Sequence, residues 1–593
     1  MGTLVFRSTI DILDRSEGAL LGAALGDAAG WPQEPAARRI GRRPAASGPL
    51  LTAWQRRAGG RFRSYLEPIA AGEYSDDTQL ILASARSLMH QDWWRHLTQV
   101  ELPTWTLYER GGGGATKRAA AMWLRGTPLW AAPSRDAERY FAAGGNGVAM
   151  RILPHVIAGT GTPFQTTAAA VFENGIASHG HPRALVGALL HANVLFRAFR
   201  QKATLSYGGL VHELIASKTE WSAVPESARI HEWTRSIDGT MSDAFRHHWL
   251  STIDEVERLL DITARAIDEG TLAVDAEVLR SLGAMNRETG GAGTVTAVAA
   301  LFLASRFAAD PMLALRQAAF APSVDTDTIA SMTGSILGAL YGCEWLRAAV
   351  GQLQDVAYLG GFGILCSSNR SNMPIDHVER VTTTNIRRAE RMLAAAKEGD
   401  YWELPDGRTG IVTRVLELES KVTRTIPVMW TVRLTDGQTI HLTKASRQRN
   451  SEHSTPTNFY PVDVHRVIVR LPVADLQAAA GFYTNVLGLP ITAQTSISVE
   501  VGRLLILVKR STDGRPQQEG NGWRSIVRVD TGTIDAVWRN ARTFGARIKD
   551  PLSPGTSRRF FRCEDLDHNV IEVVEDAHGR DRVAIEQQRL SLP

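Results

Sequence analysis

The sequence predicts a multidomain protein that is helical in its first part, forms short strands near residues 399–447, and mixes helix with strand near its end. At 593 residues the chain is too long for one hydrophobic core, so about two to four domains are expected. Gly334, Gly338 and Gly342 recur at a four-residue spacing in an apolar run, which indicates a buried helix packed closely on a neighbour. Short β-rich runs separated by turn signals follow residue 398.

Composition favours an ordinary cytoplasmic protein. Hydrophobic residues make up 44% and charged residues 22% of the chain, and the net charge is only +4, which does not by itself indicate nucleic-acid binding. Three scattered cysteines predict neither a disulfide framework nor a zinc site. Because no apolar run approaches about 18 residues, we expect no membrane-spanning helix.

Two acidic clusters each precede an apolar, helix-like run. Asp325-Thr-Asp327-Thr328 is one, and Ser75-Asp-Asp-Thr78 is the other. A helix cap needs a single carboxylate, whereas two neighbouring buried carboxylates repel each other unless a cation compensates them. Oxygen ligands without clustered Cys or His favour Mg²⁺, or Mn²⁺, over zinc. The clusters therefore predict one two-metal site between two helix ends, with these ligands: Ser75, Asp76, Asp77, Asp325, Asp327 and Thr328.

The order of further motifs resembles the ADP-ribosylglycohydrolase family. The matching segments are 18–22, 26–30, 75–78, 110–114, 145–151, 178–182 and 325–328. The resemblance implies an all-α domain over residues 1–358 with a binuclear Mg²⁺ site. Ser323-Val324 replace the small residues usual before the second acidic cluster, and segment 290–294 lacks an aromatic residue often found there.

The resemblance also implies roles for single residues. Glu34, Asp76 and Asp77 take catalytic positions, although Glu34 has the alternative of an exposed loop acid between two prolines. The resemblance further implies residues that bind the substrate through its diphosphate, its adenosine end or its distal ribose. These residues are Gly111, Gly113, Asn146, Gly147, Met150 and His179. A glycine run before a helix suits an anion, since bare N–H groups and the helix dipole point toward it.

The segments around the helical domain are assigned from composition. Residues 35–72, rich in Arg, Gly and Pro, predict a loop that is either a basic site entrance or simply solvated. Residues 359–398 are predicted to be a linker followed by a helix. Residues 399–447 predict a small SH3-like β module that binds peptide or nucleic acid, or only spaces two domains.

The segment 460–577 is similar to the glyoxalase/bleomycin-resistance (vicinal-oxygen-chelate, VOC) superfamily, with two βαβββ-like halves forming an α+β domain. Metal-dependent members place a His or Gln on the first strand of each half, where this chain has Ile468 and Arg524; only Glu572 matches. A metal-free domain is expected, acting as a small-molecule binder, a dimerising module or a structural appendage. Residues 578–593 form a tail.

Together these features predict a Mg²⁺-dependent hydrolase that removes ADP-ribose from a modified acceptor by cleaving the glycosidic bond at the distal ribose. The alternative is an ADP-ribose-binding regulatory or defence protein without turnover, whose C-terminal domain binds a small molecule. The acceptor stays open between arginine, serine, a nucleic-acid base and a small molecule. Oligomeric state also stays open, with the C-terminal domain as the expected dimer interface.

Overall fold

The computed structural model divides into two compact units, Met1–Arg449 and Asn450–Pro593. It describes residues 12–37, 39–59, 64–132, 134–201, 206–237, 239–367, 379–420, 425–447, 464–473, 491–494, 498–501, 505–509, 526–531, 534–544, 547–553, 559–564 and 570–575. Among these residues, no helix combines the length and apolar character needed to cross a lipid bilayer.

The first unit is mainly helical, as the sequence predicts. Its helices are α1 Ile12–Gly30, α2 Asp76–Ser87, α3 Trp93–His96, α4 Leu102–Trp105, α5 Gly114–Arg125, α6 Ser134–Phe141, α7 Leu153–Ala158, α8 Phe164–Ile176, α9 Pro182–Arg200, α10 Gly209–Ala216, α11 Lys218–Ser222, α12 Ala228–Ser236, α13 Gly239–Asp268, α14 Asp275–Ser281, α15 Gly293–Arg306, α16 Pro311–Ala319, α17 Thr326–Tyr341, α18 Val356–Ser367 and α19 Thr383–Ala395. Helices α1, α9, α15 and α17 are buried along most of their length, so they form the centre of the unit.

Helices α1 and α17 pack backbone to backbone, which confirms the close contact expected from the glycine spacing. A Cβ atom on Gly22 would collide with the carbonyl oxygen of Gly334, and one on Gly338 would collide with that of Gly18. Glycine at these positions is therefore what allows the two helices to approach so closely. The helices run antiparallel, and the last residue of α1 meets the first turn of α17.

Two segments expected to be irregular contain regular structure. The basic segment 35–72 holds an antiparallel three-stranded sheet of β1 Arg39–Ile40, β2 Trp54–Ala58 and β3 Tyr65–Ile69. The segment expected to be linker holds α18, which packs on α1: Gly363 approaches the α1 backbone so closely that a Cβ there would lie 2.7 Å from Glu17 Cα. The boundary expected at residue 358 therefore falls inside a helix.

The short strands expected after residue 398 form an antiparallel four-stranded sheet in chain order. They are β4 Tyr401–Glu403, β5 Thr409–Glu417, β6 Thr425–Leu434 and β7 Thr439–Arg447. Trp402 on β4, Val412 on β5 and Trp430 on β6 are buried and belong to the same hydrophobic cluster as the core residues of the helices. In this structure the sheet is part of the first unit.

Polar contacts also join this sheet to the helices. Arg86 on α2 donates to Gln438 Oε1 at 3.1 Å, and Thr439 N donates to Asp355 Oδ2 at 2.8 Å. The Trp402 indole donates to the Ala389 carbonyl of α19 at 3.0 Å. These groups are buried or partly buried, so each contact satisfies a polar atom that would otherwise be desolvated without a partner.

Arg86 also forms a buried bidentate pair with Glu101, through Nε to Oε1 at 2.8 Å and Nη2 to Oε2 at 2.7 Å. Burial alone would raise the pKa of Glu101, but the Arg86 guanidinium lowers it from the ordinary 4.5 to about 2. Because the folded pKa is depressed, this pair contributes stability above pH 4.5 and loses it as the pH falls toward 2.

We therefore expect Glu101→Gln to be destabilised at pH 7. Its free energy of unfolding should also fall less than that of the wild type as the pH is lowered. The wild type should lose about 3 kcal/mol more than the variant between pH 4.5 and pH 2, from the shift of this one group. Urea denaturation at a series of pH values measures this. If the free energy of unfolding depended on pH in the same way for the two proteins, the pKa of Glu101 would not change on unfolding and the prediction would be wrong.

The second unit contains one eight-stranded sheet. Its strands are β8 Val464–Val473, β9 Ile491–Gln494, β10 Ser498–Val501, β11 Leu505–Lys509, β12 Ile526–Thr531, β13 Arg547–Asp550, β14 Phe560–Glu564 and β15 Val570–Glu575, with helix α20 Ile534–Phe544. Their order in the sheet is β13-β14-β15-β12-β8-β11-β10-β9, with the first strands of the two halves, β8 and β12, adjacent and antiparallel. This arrangement confirms the α+β domain expected from the VOC resemblance.

Candidate metal centre

The glycine contact between α1 and α17 determines where the acidic residues meet. Gly30 ends α1 against the Thr326 carbonyl, and the Thr326 hydroxyl donates to the Gly30 carbonyl at 2.8 Å. A 3₁₀ turn, Trp31–Gln33, follows and ends at Glu34. One carboxylate oxygen from each of Glu34, Asp325 and Asp327 lies within 4.8 Å of the others. The structure thus brings Glu34 to the second acidic cluster, and does not leave it as an isolated loop acid.

Asp27 orders the first acidic cluster. Its carboxylate accepts hydrogen bonds from Ser75 N at 3.1 Å, Thr78 N at 3.0 Å and the Thr78 hydroxyl at 2.6 Å. Ser75 caps α2, so Asp76 and Asp77 occupy its first turn. The sequence predicts no role for Asp27, which lies within the matching segment 26–30. Its position in the Gly26–Gly30 segment, beside the glycines of α1, was the signal that could have found it.

Five side chains form what we call the carboxylate cluster: Glu34, Asp76, Asp77, Asp325 and Asp327. Burial, followed by the charges of Asp325 and Asp76, raises the pKa of Glu34 to about 8. Burial and neighbouring acids also raise the pKa of Asp76 to about 8 and that of Asp77 well above its usual range. Burial, followed by the charges of Glu34, Asp325 and Asp77, raises the pKa of Asp327 well above its usual range. The carboxylates repel one another strongly in the absence of a positive charge.

The donor set fits a hard divalent cation. Asp77 Oδ2 is buried without a hydrogen-bond partner, and a buried unpaired carboxylate oxygen is costly unless a cation binds it. Asn146 Nδ2 donates to Asp325 Oδ2 at 2.9 Å, and Thr328 N donates to Asp327 Oδ1 at 2.9 Å. The described cluster contains only oxygen ligands, which suit Mg²⁺ or Mn²⁺ better than zinc.

The first glycine loop lies directly against Asp76. A Cβ on Gly111, whose φ is +108°, would be 2.9 Å from Asp76 Oδ1. Gly113 is the N-cap of α5 in open space, with nothing within 4 Å of a Cβ built there. The backbone N–H groups at this helix start are therefore accessible to a ligand beside the cluster.

The second glycine loop supports the other side of Asp325. Asn146 N donates to the Gly291 carbonyl at 2.9 Å, and a Cβ on Gly147 would be 3.0 Å from His179 Cε1. Met150 is buried in the 3₁₀ turn that follows. Glycine at 147 is thus needed for the close approach of His179.

Arg151, for which the sequence predicted no role, links this loop to the segment that contains His179. Its guanidinium donates to the Gly147 carbonyl at 2.8 Å and to Ser178 Oγ at 2.8 Å, and Ser178 Oγ lies 2.7 Å from His179 Nδ1. Burial, together with Arg151, lowers the pKa of His179 to about 3. His179 is therefore neutral at physiological pH and can use Nε2 to contact a ligand.

In the second unit the strand register places Ile468 opposite Arg528, and Arg528 opposite Glu572. Arg524, the second position named from the sequence, lies outside the described residues. The buried Glu572 accepts hydrogen bonds from Arg562 Nε at 3.1 Å and Nη2 at 2.8 Å. A metal-free domain remains the expectation.

Comparison with known proteins agrees with this organisation. The family model for ADP-ribosylglycohydrolase matches residues 8–368, and the model for the Glyoxalase/Bleomycin resistance protein/Dioxygenase superfamily matches residues 465–573. No curated protein has a significantly similar sequence.

Two similar solved structures cover the two parts of the chain. An ADP-ribosylglycohydrolase-related protein complex is 21% identical, with a TM-score of 0.37, over 60% of this chain and 98% of that chain. A glyoxalase/bleomycin resistance protein/dioxygenase superfamily member from Vibrio splendidus 12B01 is 15% identical, with a TM-score of 0.15, over 19% of this chain and 100% of that chain. Since one family model matches more than half of the sequence, the chain belongs to the ADP-ribosylglycohydrolase family and carries a glyoxalase-like domain after it.

Proposed function

We propose that this protein is a divalent-metal-dependent hydrolase that cleaves the glycosidic bond at the distal ribose of an ADP-ribosyl group. Membership of the ADP-ribosylglycohydrolase family supports removal of ADP-ribose by hydrolysis. The observation that carries the finer proposal is the convergence of Glu34, Asp325 and Asp327 within 4.8 Å, next to the start of α2. Three acids held this close together, with Asp327 buried and the other two half-buried, repel one another unless they bind a cation.

Two Mg²⁺ ions would be held by Ser75, Asp76, Asp77, Asp325, Asp327 and Thr328. Bound there, the ions would supply positive charge that polarises ribose hydroxyls and water. The cations would also lower the raised pKa values of Glu34, Asp76, Asp77 and Asp327, because an opposite charge favours the ionised form.

The chain's own residues would carry the proton transfer. Glu34 is partly accessible while Asp327 is buried, so Glu34 is the better placed carboxylate to meet an incoming water. It would accept a proton from that water as the water oxygen bonds to the anomeric carbon. The bond from this carbon to the acceptor breaks with its electron pair on the acceptor, and the acceptor takes up the proton that Glu34 accepted, which restores the Glu34 carboxylate. The surrounding carboxylates stabilise the positive charge that develops on the ribose ring.

Two loops would position the rest of the substrate. Gly111 and Gly113, at the start of α5, offer backbone N–H groups to the diphosphate. Asn146, Gly147 and His179 border the cluster on the other side, where a distal ribose and the adenosine end would lie, and Met150 follows in the same loop. The neutral His179 can hydrogen-bond a ribose hydroxyl or a phosphate oxygen without a competing charge.

We expect hydrolysis to require Mg²⁺ or Mn²⁺. The full chain should be dialysed against EDTA and assayed on ADP-ribosylated arginine, serine and DNA, with Mg²⁺, Mn²⁺ or Zn²⁺ restored in turn. Activity should be lost without metal, return with Mg²⁺ or Mn²⁺, and stay low with Zn²⁺, because the proposed ligands are all hard oxygen donors. Full activity after exhaustive removal of metal would disprove the metal proposal.

The same assay identifies the acceptor and tests the alternative without turnover. A protein that only binds ADP-ribose would release no free ADP-ribose from any of these substrates under any metal. Calorimetric titration of the metal-depleted chain with free ADP-ribose, before and after addition of Mg²⁺, then separates an inactive binder from a misfolded preparation.

A further inference from the structure

A second cavity lies between the three-stranded sheet β1–β3 and the four-stranded sheet β4–β7 of the same unit. Its volume is about 540 Å³. The two sheets meet where Leu66 N donates to the Glu419 carbonyl at 3.0 Å. None of the residues that line the cavity belongs to the carboxylate cluster. The lining residues that matter here are Arg39, Trp54, Glu73, Arg414, Met429 and His441.

Two nitrogen atoms of the lining have no hydrogen-bond partner. Arg39 Nη1 and His441 Nε2 are both buried without a hydrogen bond, and His441 Nε2 lies 3.5 Å from Glu73 Oε1. His441 is only 8% exposed, and its other nitrogen, Nδ1, lies 3.2 Å from the Thr431 hydroxyl. Buried donors in folded proteins are normally satisfied, so unpaired ones on a cavity wall indicate a ligand that accepts hydrogen bonds.

The charges around the cavity favour an anion. Within the described part of the chain, neither Arg39 nor Arg414 has a carboxylate partner. Glu73 is the single acid of the lining, and it is bound to Arg110 at 2.7 Å. Burial lowers the pKa of Arg39, so the guanidinium would be stabilised by a negative charge close to it.

The remaining walls are apolar, with Ile40, Ile69 and Met429 among them. A cavity of this size suits a small organic ligand, since such sites commonly enclose about 300–1,000 Å³. Two guanidinium groups from separate strands, Arg39 on β1 and Arg414 on β5, line the cavity beside His441, and guanidinium forks match the terminal oxygens of a phosphate monoester. We propose that this cavity binds a small phosphate monoester with a flat organic body, of mononucleotide size, independently of the hydrolytic site.

Calorimetric titration of the full, metal-depleted chain with uridine monophosphate tests this proposal, with uridine and inorganic phosphate as comparison ligands. We expect one binding site for uridine monophosphate and clearly weaker binding of both fragments. Arg414→Ala should raise the dissociation constant about tenfold or more, because it removes a charge-assisted contact without disturbing the buried core. Arg433→Ala is the matched control, since Arg433 is exposed on β6 and does not line the cavity.

Two further variants keep the result interpretable. His441→Gln retains a side chain that can hydrogen-bond and should weaken binding while leaving the melting temperature near that of the wild type. Asp327→Asn, in the carboxylate cluster, should leave binding unchanged. The proposal is overturned if uridine monophosphate does not bind, if uridine or phosphate alone binds as tightly, or if Asp327→Asn abolishes binding while Arg414→Ala does not.

Discussion

Asp327→Asn is expected to lower hydrolysis of an ADP-ribosyl substrate by about a thousandfold or more, in line with the loss of one central electrostatic contact. The side chain keeps its size and can still accept the hydrogen bond from Thr328 N. Its negative charge, which the pKa of Asp327 shows to be strongly disfavoured among its neighbours, is removed. The variant should therefore fold as well as the wild type without metal, or better, because one source of repulsion is gone.

This opposition between stability and activity separates a metal-ligand role from a structural one. Thermal melting with and without Mg²⁺ should show that the ion stabilises the wild type and has a much smaller effect on the variant. Asp268→Asn provides the matched control, since its side chain is 66% exposed and lies 3.7 Å from that of His212, which is 54% exposed. Near-normal turnover by Asp327→Asn, or an unchanged shift in melting temperature with Mg²⁺, would contradict the assignment.

The sequence predicted the helix pair and the acidic residues because both leave local signals. A glycine every four residues indicates a helix face in contact with another backbone. Gly22 and Gly334 are in contact in this way. Two carboxylates at the start of an apolar helix are equally local. Which side chains complete the cluster is not local: Glu34 reaches it only because α1 ends against α17 at Gly30.

The parts that the sequence did not predict depend on long-range contacts. Strands β1–β3 are short and rich in arginine, so no alternation of apolar residues marks them, yet Arg56 and Arg110 are satisfied by the buried Glu67 on β3. Likewise α18 contains three glycines and resembles a linker by composition. Two of these glycines, Gly360 and Gly363, lie against Glu17 of α1, a contact that only the folded chain reveals.

The second large effect is expected from removal of the four-stranded sheet β4–β7. We expect a chain of residues 1–449 to remain folded and to hydrolyse an ADP-ribosyl substrate with Mg²⁺, because it contains the whole first unit. A chain of residues 1–397 retains every acidic residue of the cluster but lacks strands β4–β7. We expect this shorter chain to aggregate, or to melt at least ~10 °C lower with loss of hydrolysis.

The physical reason lies in what the missing strands satisfy. Without them, Arg86 loses Gln438, and Asp355 loses the Thr439 N–H that reaches it at 2.8 Å. The helices would also expose the apolar surface that Trp402 and Trp430 cover. Each buried polar group left unpaired costs ~1–3 kcal/mol, and each kcal/mol lowers the melting temperature by about 2–4 °C in a domain of roughly 150–250 residues and by less in a larger one.

Gln438→Ala in the full chain isolates one of these contacts without removing the sheet. Gln438 is fully buried, so this variant should melt lower by a few degrees and keep its metal dependence. Arg433→Ala, on the exposed face of the same sheet, should change the melting temperature little. If residues 1–397 melted cooperatively at the temperature of residues 1–449 and kept full activity, the sheet would be a separable module, as the glycine- and serine-rich composition of 360–374 alone suggests.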